Sequence, residues 1–321
     1  MMKKIHWKQG DGGAFNKVVD NMKRIMGQHT DSNIVATCSA NGKSLNNFPG
    51  KKKVWFGAWN LEEMTIERAK TLENPDLIVG ISKFCADVFK KHIDNVCVGQ
   101  LGVNTNLYVP KLELKSSKFR FFSTCWADCY GKDILLEAWK KAFEFMDAEL
   151  LIKSHREKPF NAGEIRSFEE IEGVKIHKPT GWRLSEHQLV DLYNTASCFV
   201  YPVPSIGSSL TVLENMSCGI PPIIANFSAP PEFVDDEVGF LVECDIVPVD
   251  CEKAEVYGPF VREPKWGRAK IDKLAETMIF AYNHRELLAK KSAAAREKVV
   301  RELTWECAAQ KFSNLIEEHL R

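Results

Sequence analysis

Apolar residues recur along this chain in two alternating rhythms: short unbroken runs, and longer stretches in which they return every third or fourth position. The first rhythm predicts strands buried on both faces, and the second predicts amphipathic helices. Before residue 110, strands are predicted near Ile5, over SNIVATCSA, at Val54-Trp55-Phe56, and over 76–81 and 95–100. Helices are predicted over 14–26, LEEMTIERAKTLE and SKFCADVFKKH. A polar linker at 111–117 follows. The alternation then resumes with strand FRFFST, helix GKDILLEAWKKAFEFM, strands AELLIKS and VKIHK, helix SEHQLVDLYNTA, strand CFVYPV, helix LTVLENM, and strands PPIIAN and GFLVE. The interval 250–267 has few periodic apolar residues and reads as a surface insertion. Strands alternating with helices in this way predict an α/β protein whose parallel sheets are joined by crossover helices.

Within this pattern, CFVYP gives way to Ile206-Gly207-Ser208-Ser209, and helical spacing begins at Leu210 and stops at Gly219. The first turn of such a helix offers unpaired N–H groups and the positive end of the helix dipole, and small residues let an anion approach closely. The turn is therefore a candidate diphosphate site, although any α/β protein contains strand-turn-helix units and the serines also suit a simple N-cap. Near the amino terminus, Gly10-Asp11-Gly12-Gly13 lies between a strand and a helix, where backbone can approach a ligand or a facing helix.

The 321 residues suffice for two domains, and 45% hydrophobic with 27% charged residues describes a soluble globular chain. No apolar run is long enough to span a bilayer, and the start lacks the apolar stretch of a signal peptide, so a cytoplasmic protein, peripheral to a membrane at most, is expected. Ten scattered cysteines suit reduced, buried thiols. Cys125 and Cys129 form the closest pair but lack a second pair to complete a metal site, so no metal is expected. Net charge is zero but uneven: residues 1–60 hold ten Lys/Arg against three Asp/Glu, and the remaining 261 hold 33 against 40. That balance is either a solvated surface or a face for an anionic partner: a lipid phosphate, a membrane surface or DNA.

The phrases SEHQLVDLYNTASCFVYP, LTVLENMSCGIPPIIAN and EFVDDEVGFLV, in this order and spacing, resemble the donor domain of family-four glycosyltransferases. ISKFCADVFKKH with VCVGQLGVNTNLYVP resembles the end of that family's first domain, and WGRAKIDKLAETM and LTWECAAQKFSNLIEEHL resemble its closing helices. The resemblance is dense after Asp76 and thin before it. It implies a GT-B fold, two Rossmann-like domains facing across a cleft: an acceptor-side domain over 1–110, shorter than is usual, a nucleotide-sugar donor domain over 111–303, and a final helix over 304–321 crossing back to the first domain.

Activity, donor and site residues follow from the same resemblance. It implies transfer of a sugar from a nucleotide-diphosphate sugar to an acceptor hydroxyl, with retention of configuration and no cofactor. No D-x-D pair stands where a diphosphate-bound metal would need it. Glu214 matches the second Glu of the family's E-x7-E pair, which holds ribose hydroxyls. Ser208, Ser209, Leu210 and Thr211 would bind the diphosphate. Arg183, by its own position after Gly181-Trp182, is either a contact to the nucleobase end of the donor or a solvated arginine before a helix cap. Gly12 and Gly13 match the loop that faces the acceptor. Trp59 and Asn60, after strand VWFGAW, are either further acceptor-side candidates or core and cap residues.

This chain departs from the pattern at three positions. Ile206 stands where the first Glu belongs, and Thr124 and Tyr130 stand where an Arg and a Lys would neutralise the leaving diphosphate. Lys132, or Lys153 with Arg156, would have to supply that charge, or the site is disabled. His155 is a weaker acid-base candidate. Two other readings remain: a nucleic-acid-modifying glycosyltransferase that extrudes a hydroxylated base, and a catalytically silent GT-B binding module.

Overall fold

The computed structural model describes residues 2–9, 13–39, 45, 47–72, 75–125, 131–153, 168, 170–177, 184–249, 261 and 263–320. The amino-terminal lobe holds β1 (His6–Trp7), α1 (Gly13–Met26), β2 (Ile34–Cys38), β3 (Lys52–Gly57), α2 (Ile66–Thr71), β4 (Leu77–Gly80), α3 (Lys83–Lys90) and β5 (Val96–Val98). Its five strands are parallel and lie side by side in sequence order. Successive residues of β3 face opposite sides, as the pleat requires. Trp55 packs on Phe89 of α3, whereas Phe56 packs 4.6 Å from Phe312 near the carboxyl terminus.

The carboxyl-terminal lobe continues with β6 (Phe119–Ser123), α4 (Lys132–Phe143), β7 (Ala148–Lys153), β8 (Val174–His177), α5 (Glu186–Asn194), β9 (Cys198–Tyr201), α6 (Leu210–Ser217), β10 (Pro222–Ala225) and β11 (Phe240–Val242). Its parallel sheet is ordered β11-β10-β9-β6-β7-β8, so the winding reverses between β6 and β9. Ligands of open α/β sheets bind outside the carboxyl ends of the strands at such a switch point. Gly131 closes this end tightly. It adopts a left-handed φ of 77°, and a side chain there would strike the Pro202 carbonyl that follows β9.

The stretch that reads as a surface insertion differs at its base. β12 (Cys244–Pro248) and β13 (Lys265–Ala269) form an antiparallel ribbon, with Trp266 buried and Gly267 packed on Phe227. The two strands pair although they stand far apart in sequence, so local periodicity gives no sign of them. The linker also proves to be docked. Lys111 N donates to Asn194 Oδ1 at 2.7 Å and its ammonium lies 2.6 Å from Asp191, both on α5.

Helices α7 (Ile271–Asn283), α8 (Arg285–Glu302) and α9 (Trp305–His319) close the chain. Thr304 caps α9, accepting from Cys307 N at 3.1 Å, and forms a bridge to Val103. From there α9 crosses to α1 and lays Phe312 on Trp7 and Phe56. No helix among the described residues is long and apolar enough to cross a membrane.

Candidate functional site

The turn after β9 meets the amino-terminal lobe directly. Ser205 Oγ donates to the Asn60 carbonyl, Gly207 N donates to Asn60 Oδ1 at 2.9 Å, and Cys85 Sγ lies 3.5 Å from the Gly207 carbonyl. A methyl at Gly207 would come within 2.6 Å of the Trp59 carbonyl and 2.7 Å of Cys85 Sγ, so only glycine allows this approach. The Cys85 thiol is pushed up to about 11 by its burial, which keeps it protonated and inert. The Trp59 ring turns back into its own lobe, where Nε1 donates to the Glu63 carbonyl at 2.8 Å. Of these two residues, the Asn60 side chain and carbonyl and the Trp59 backbone meet the turn.

Beyond Gly207, Ser209 caps α6, its hydroxyl accepting from Val212 N at 3.2 Å. The N–H groups of Ser208, Leu210 and Thr211 find no acceptor among the described residues, and these residues are only partly covered. Such a helix start can receive an anion. Ile206 is buried, its N–H donating to Ser228 Oγ at 3.0 Å. Ser228 holds a left-handed φ of 61°, which costs energy outside glycine and is sustained here by that contact and by the Ser228 Oγ bond to its neighbour's carbonyl.

Glu214 is only 4% exposed and lies one turn into α6, on the same face as Leu210. Each of its oxygens has a partner: Oε1 accepts from Lys17 Nζ at 2.6 Å and Oε2 from Tyr193 Oη at 3.0 Å. Lys17, on α1, also donates to Tyr108 Oη at 2.9 Å and lies 2.9 Å from Glu186. Burial opposes the Lys17 charge, but Glu214 and Tyr108 outweigh it and hold the ammonium well above the ordinary lysine range. Burial, with Glu214 beside it, raises the Tyr193 hydroxyl far above the usual tyrosine value, so it stays a donor.

Lys153 ends β7, next to His177 at the end of β8. Burial lowers the Lys153 ammonium below the usual lysine value, and the Glu214 carboxylate pulls it partly back, which places the two in one electrostatic neighbourhood. His177 is lowered by burial and by Lys153. Lys132 instead sits over the Phe168 ring at 5.4 Å. Gly13 begins α1. Gly12, Arg156, Arg183, His155 and Tyr130 lie outside the described residues.

The structure thus gathers Ser208–Thr211, Glu214, Lys153, Asn60 and the Trp59 backbone along one seam. Lys17, Tyr108, Tyr193 and Glu186 escaped the sequence reading. One signal for Lys17 was available: it stands four positions after Gly13, hence on the same face of α1 as the loop expected at the cleft.

Residues 118–251 match the family described as Glycosyl transferases group 1. No curated protein matches the chain. Among solved structures, sucrose-phosphate synthase from Thermosynechococcus elongatus superposes with a TM-score of 0.67 at 14% identity, covering 95% of this chain and 77% of its own. HepE from Anabaena, in complex with UDP-glucose, gives 0.65 at 13% identity, covering 94% and 82%. A glycosyltransferase from Rickettsia africae gives 0.64 at 14% identity, covering 98% and 84%. The match to glycosyl transferases group 1 is thus confined to residues 118–251, while the chain as a whole has the GT-B fold.

Proposed function

We propose that this protein is a glycosyltransferase that moves a sugar from a nucleotide-diphosphate sugar to an acceptor hydroxyl. The observation that carries the reading is the start of α6 at the switch point of the second sheet. N–H groups that find no acceptor among the described residues stand there one turn from a buried carboxylate, inside the segment that matches the family. The diphosphate would lie on Ser208–Thr211, and Glu214 would accept hydrogen bonds from the ribose. That HepE is found with UDP-glucose supports a nucleotide-sugar donor.

In the reaction, the bond from the anomeric carbon to the phosphate oxygen breaks and a bond to the acceptor oxygen forms on the same face. The departing phosphate oxygen takes the acceptor proton, so retention requires no protein nucleophile and Ile206 does not abolish turnover. Lys153 neutralises the charge that builds on the phosphate, where a preorganised cation is worth several kcal/mol, on the order of 3. No metal takes part. The acceptor enters over the basic amino-terminal lobe, where Lys8, Lys23 and Lys51 surround His6 and, with burial, lower its pKa.

One observation favours a second reading, a silent binding module: Lys17 and Asn60 already hold Glu214 and Gly207 N. A thermal-shift panel of UDP, GDP, ADP and their sugar conjugates decides between them. A transferase gains about 3 kcal/mol of stability at a hundredfold excess over Kd and slowly hydrolyses its sugar nucleotide. If no nucleotide moves the transition, the donor site is refuted; binding without hydrolysis or transfer leaves the silent module.

A further inference from the structure

One sheltered ion pair joins the two lobes, and the chemistry above makes no use of its cation. Lys17 reaches from α1 across the seam to Glu214, a residue 197 positions away, and the cavity around the pair is about 30 Å³. That volume suits a water molecule and cannot admit a pentose. A ribose hydroxyl and the Lys17 ammonium therefore compete for the same carboxylate oxygen.

We propose that Lys17 is a donor-site residue supplied by the amino-terminal lobe: it occupies the ribose position on Glu214 while the lobes are closed, leaves when a nucleoside diphosphate enters, and so sets donor affinity. The inference rests on the donor-site reading above. Three features of the geometry support it. Glu186, 2.9 Å from Lys17 and half exposed at the rim, can keep the ammonium when Glu214 is given up. Tyr193 holds the other Glu214 oxygen from within the carboxyl-terminal lobe, so the carboxylate stays oriented during the exchange. Asn60 repeats the arrangement at Gly207 N, where a side chain from the amino-terminal lobe covers a backbone donor of the phosphate turn. A contact that must break before the ligand binds lowers apparent affinity by the fraction of molecules in which it is made.

The test uses the full chain and the variants Lys17→Met, Lys17→Arg and Lys17→Met/Glu214→Gln. Calorimetry gives the Kd of UDP, GDP and ADP, and small-angle scattering gives the radius of gyration. Lys17→Met leaves Glu214 unpaired in the closed seam, so the radius increases and the preferred nucleotide binds about tenfold tighter. Lys17→Arg keeps a cation opposite Glu214 and is expected to bind nucleotide less tightly than Lys17→Met does, while a cooperative melting transition in every variant controls for folding. Adding Glu214→Gln removes the unpaired charge, restores the compact radius and cancels the gain in affinity. Parental or weaker nucleotide binding by Lys17→Met, with binding by the parent intact, overturns the competition and leaves the donor site standing. Absence of binding by the parent and every variant overturns the donor site itself.

Discussion

At the residue scale, Lys153 is where burial and charge oppose each other most directly in the site. Its ammonium is lowered by desolvation and sustained by Glu214. A cation stripped of water acts more strongly on an arriving phosphate than one in solvent. Lys153→Met is expected to lower kcat by about a hundredfold while changing nucleotide Kd far less, because the charge it meets develops in the transition state. Steady-state transfer measured beside calorimetry checks this; an equal loss in both would make Lys153 a plain ground-state contact. Glu214 was singled out by its place in the LTVLENM phrase. Its partners were not, because nothing local to that phrase specifies which side chain of the other lobe arrives there.

Element by element, the helices and parallel strands follow from periodicity, since each buries a face or a whole run of apolar residues. Helix α9 shows how such an element is recruited. Trp305, Phe312 and Ile316 lie on its buried face, and the sheet side carrying Trp7 and Phe56 needs that cover. Phe312→Ala removes a fully packed ring from this three-ring cluster and is expected to cost about 3–5 kcal/mol, read as a lower urea midpoint with the slope unchanged. A loss below about 1 kcal/mol would mean that α9 is not integral to the amino-terminal lobe. The ribbon of β12 and β13 was not legible. Its strands CDIVP and KWGRA show little alternation and are well separated in sequence, so their pairing is decided by tertiary contacts such as Gly267 on Phe227.

Across the whole molecule, the ends of the second sheet divide their work. The carboxyl ends face the seam, and the opposite ends are tied together by Glu149, 3% exposed, which accepts from Arg120 Nε at 2.5 Å, from Ser116 Oγ at 3.1 Å and from Lys175. Burial raises the Glu149 carboxyl, but its bonds to Lys175, Arg120 and Ser116 outweigh that and hold it below the ordinary carboxylate range. A carboxyl with a lower pKa folded than unfolded adds stability that is complete above about pH 4.3 and is lost as pH falls through the folded value. Melting temperature should therefore drop on acidification below about pH 4–5, and less steeply in Glu149→Gln. At pH 7 that variant should be less stable by about 2 kcal/mol, below the cost of breaking a fully buried pair, because the Lys175 arm is 60% exposed. Parallel pH profiles for the two proteins would assign the acid sensitivity to other carboxylates.

The sequence by itself determined the helices and parallel strands, their order and the strand-turn-helix unit at Ser208–Thr211, because each depends on residues within a few positions of one another: apolar spacing, a capping serine, a glycine where the backbone must turn or be approached. Tertiary structure alone decided what those elements face. Lys17 meets Glu214 and Asn60 covers Gly207 N through contacts between distant segments. Such contacts become favourable only once two separately wound sheets are docked, since burying a charge or an N–H is tolerable only when its partner is buried with it.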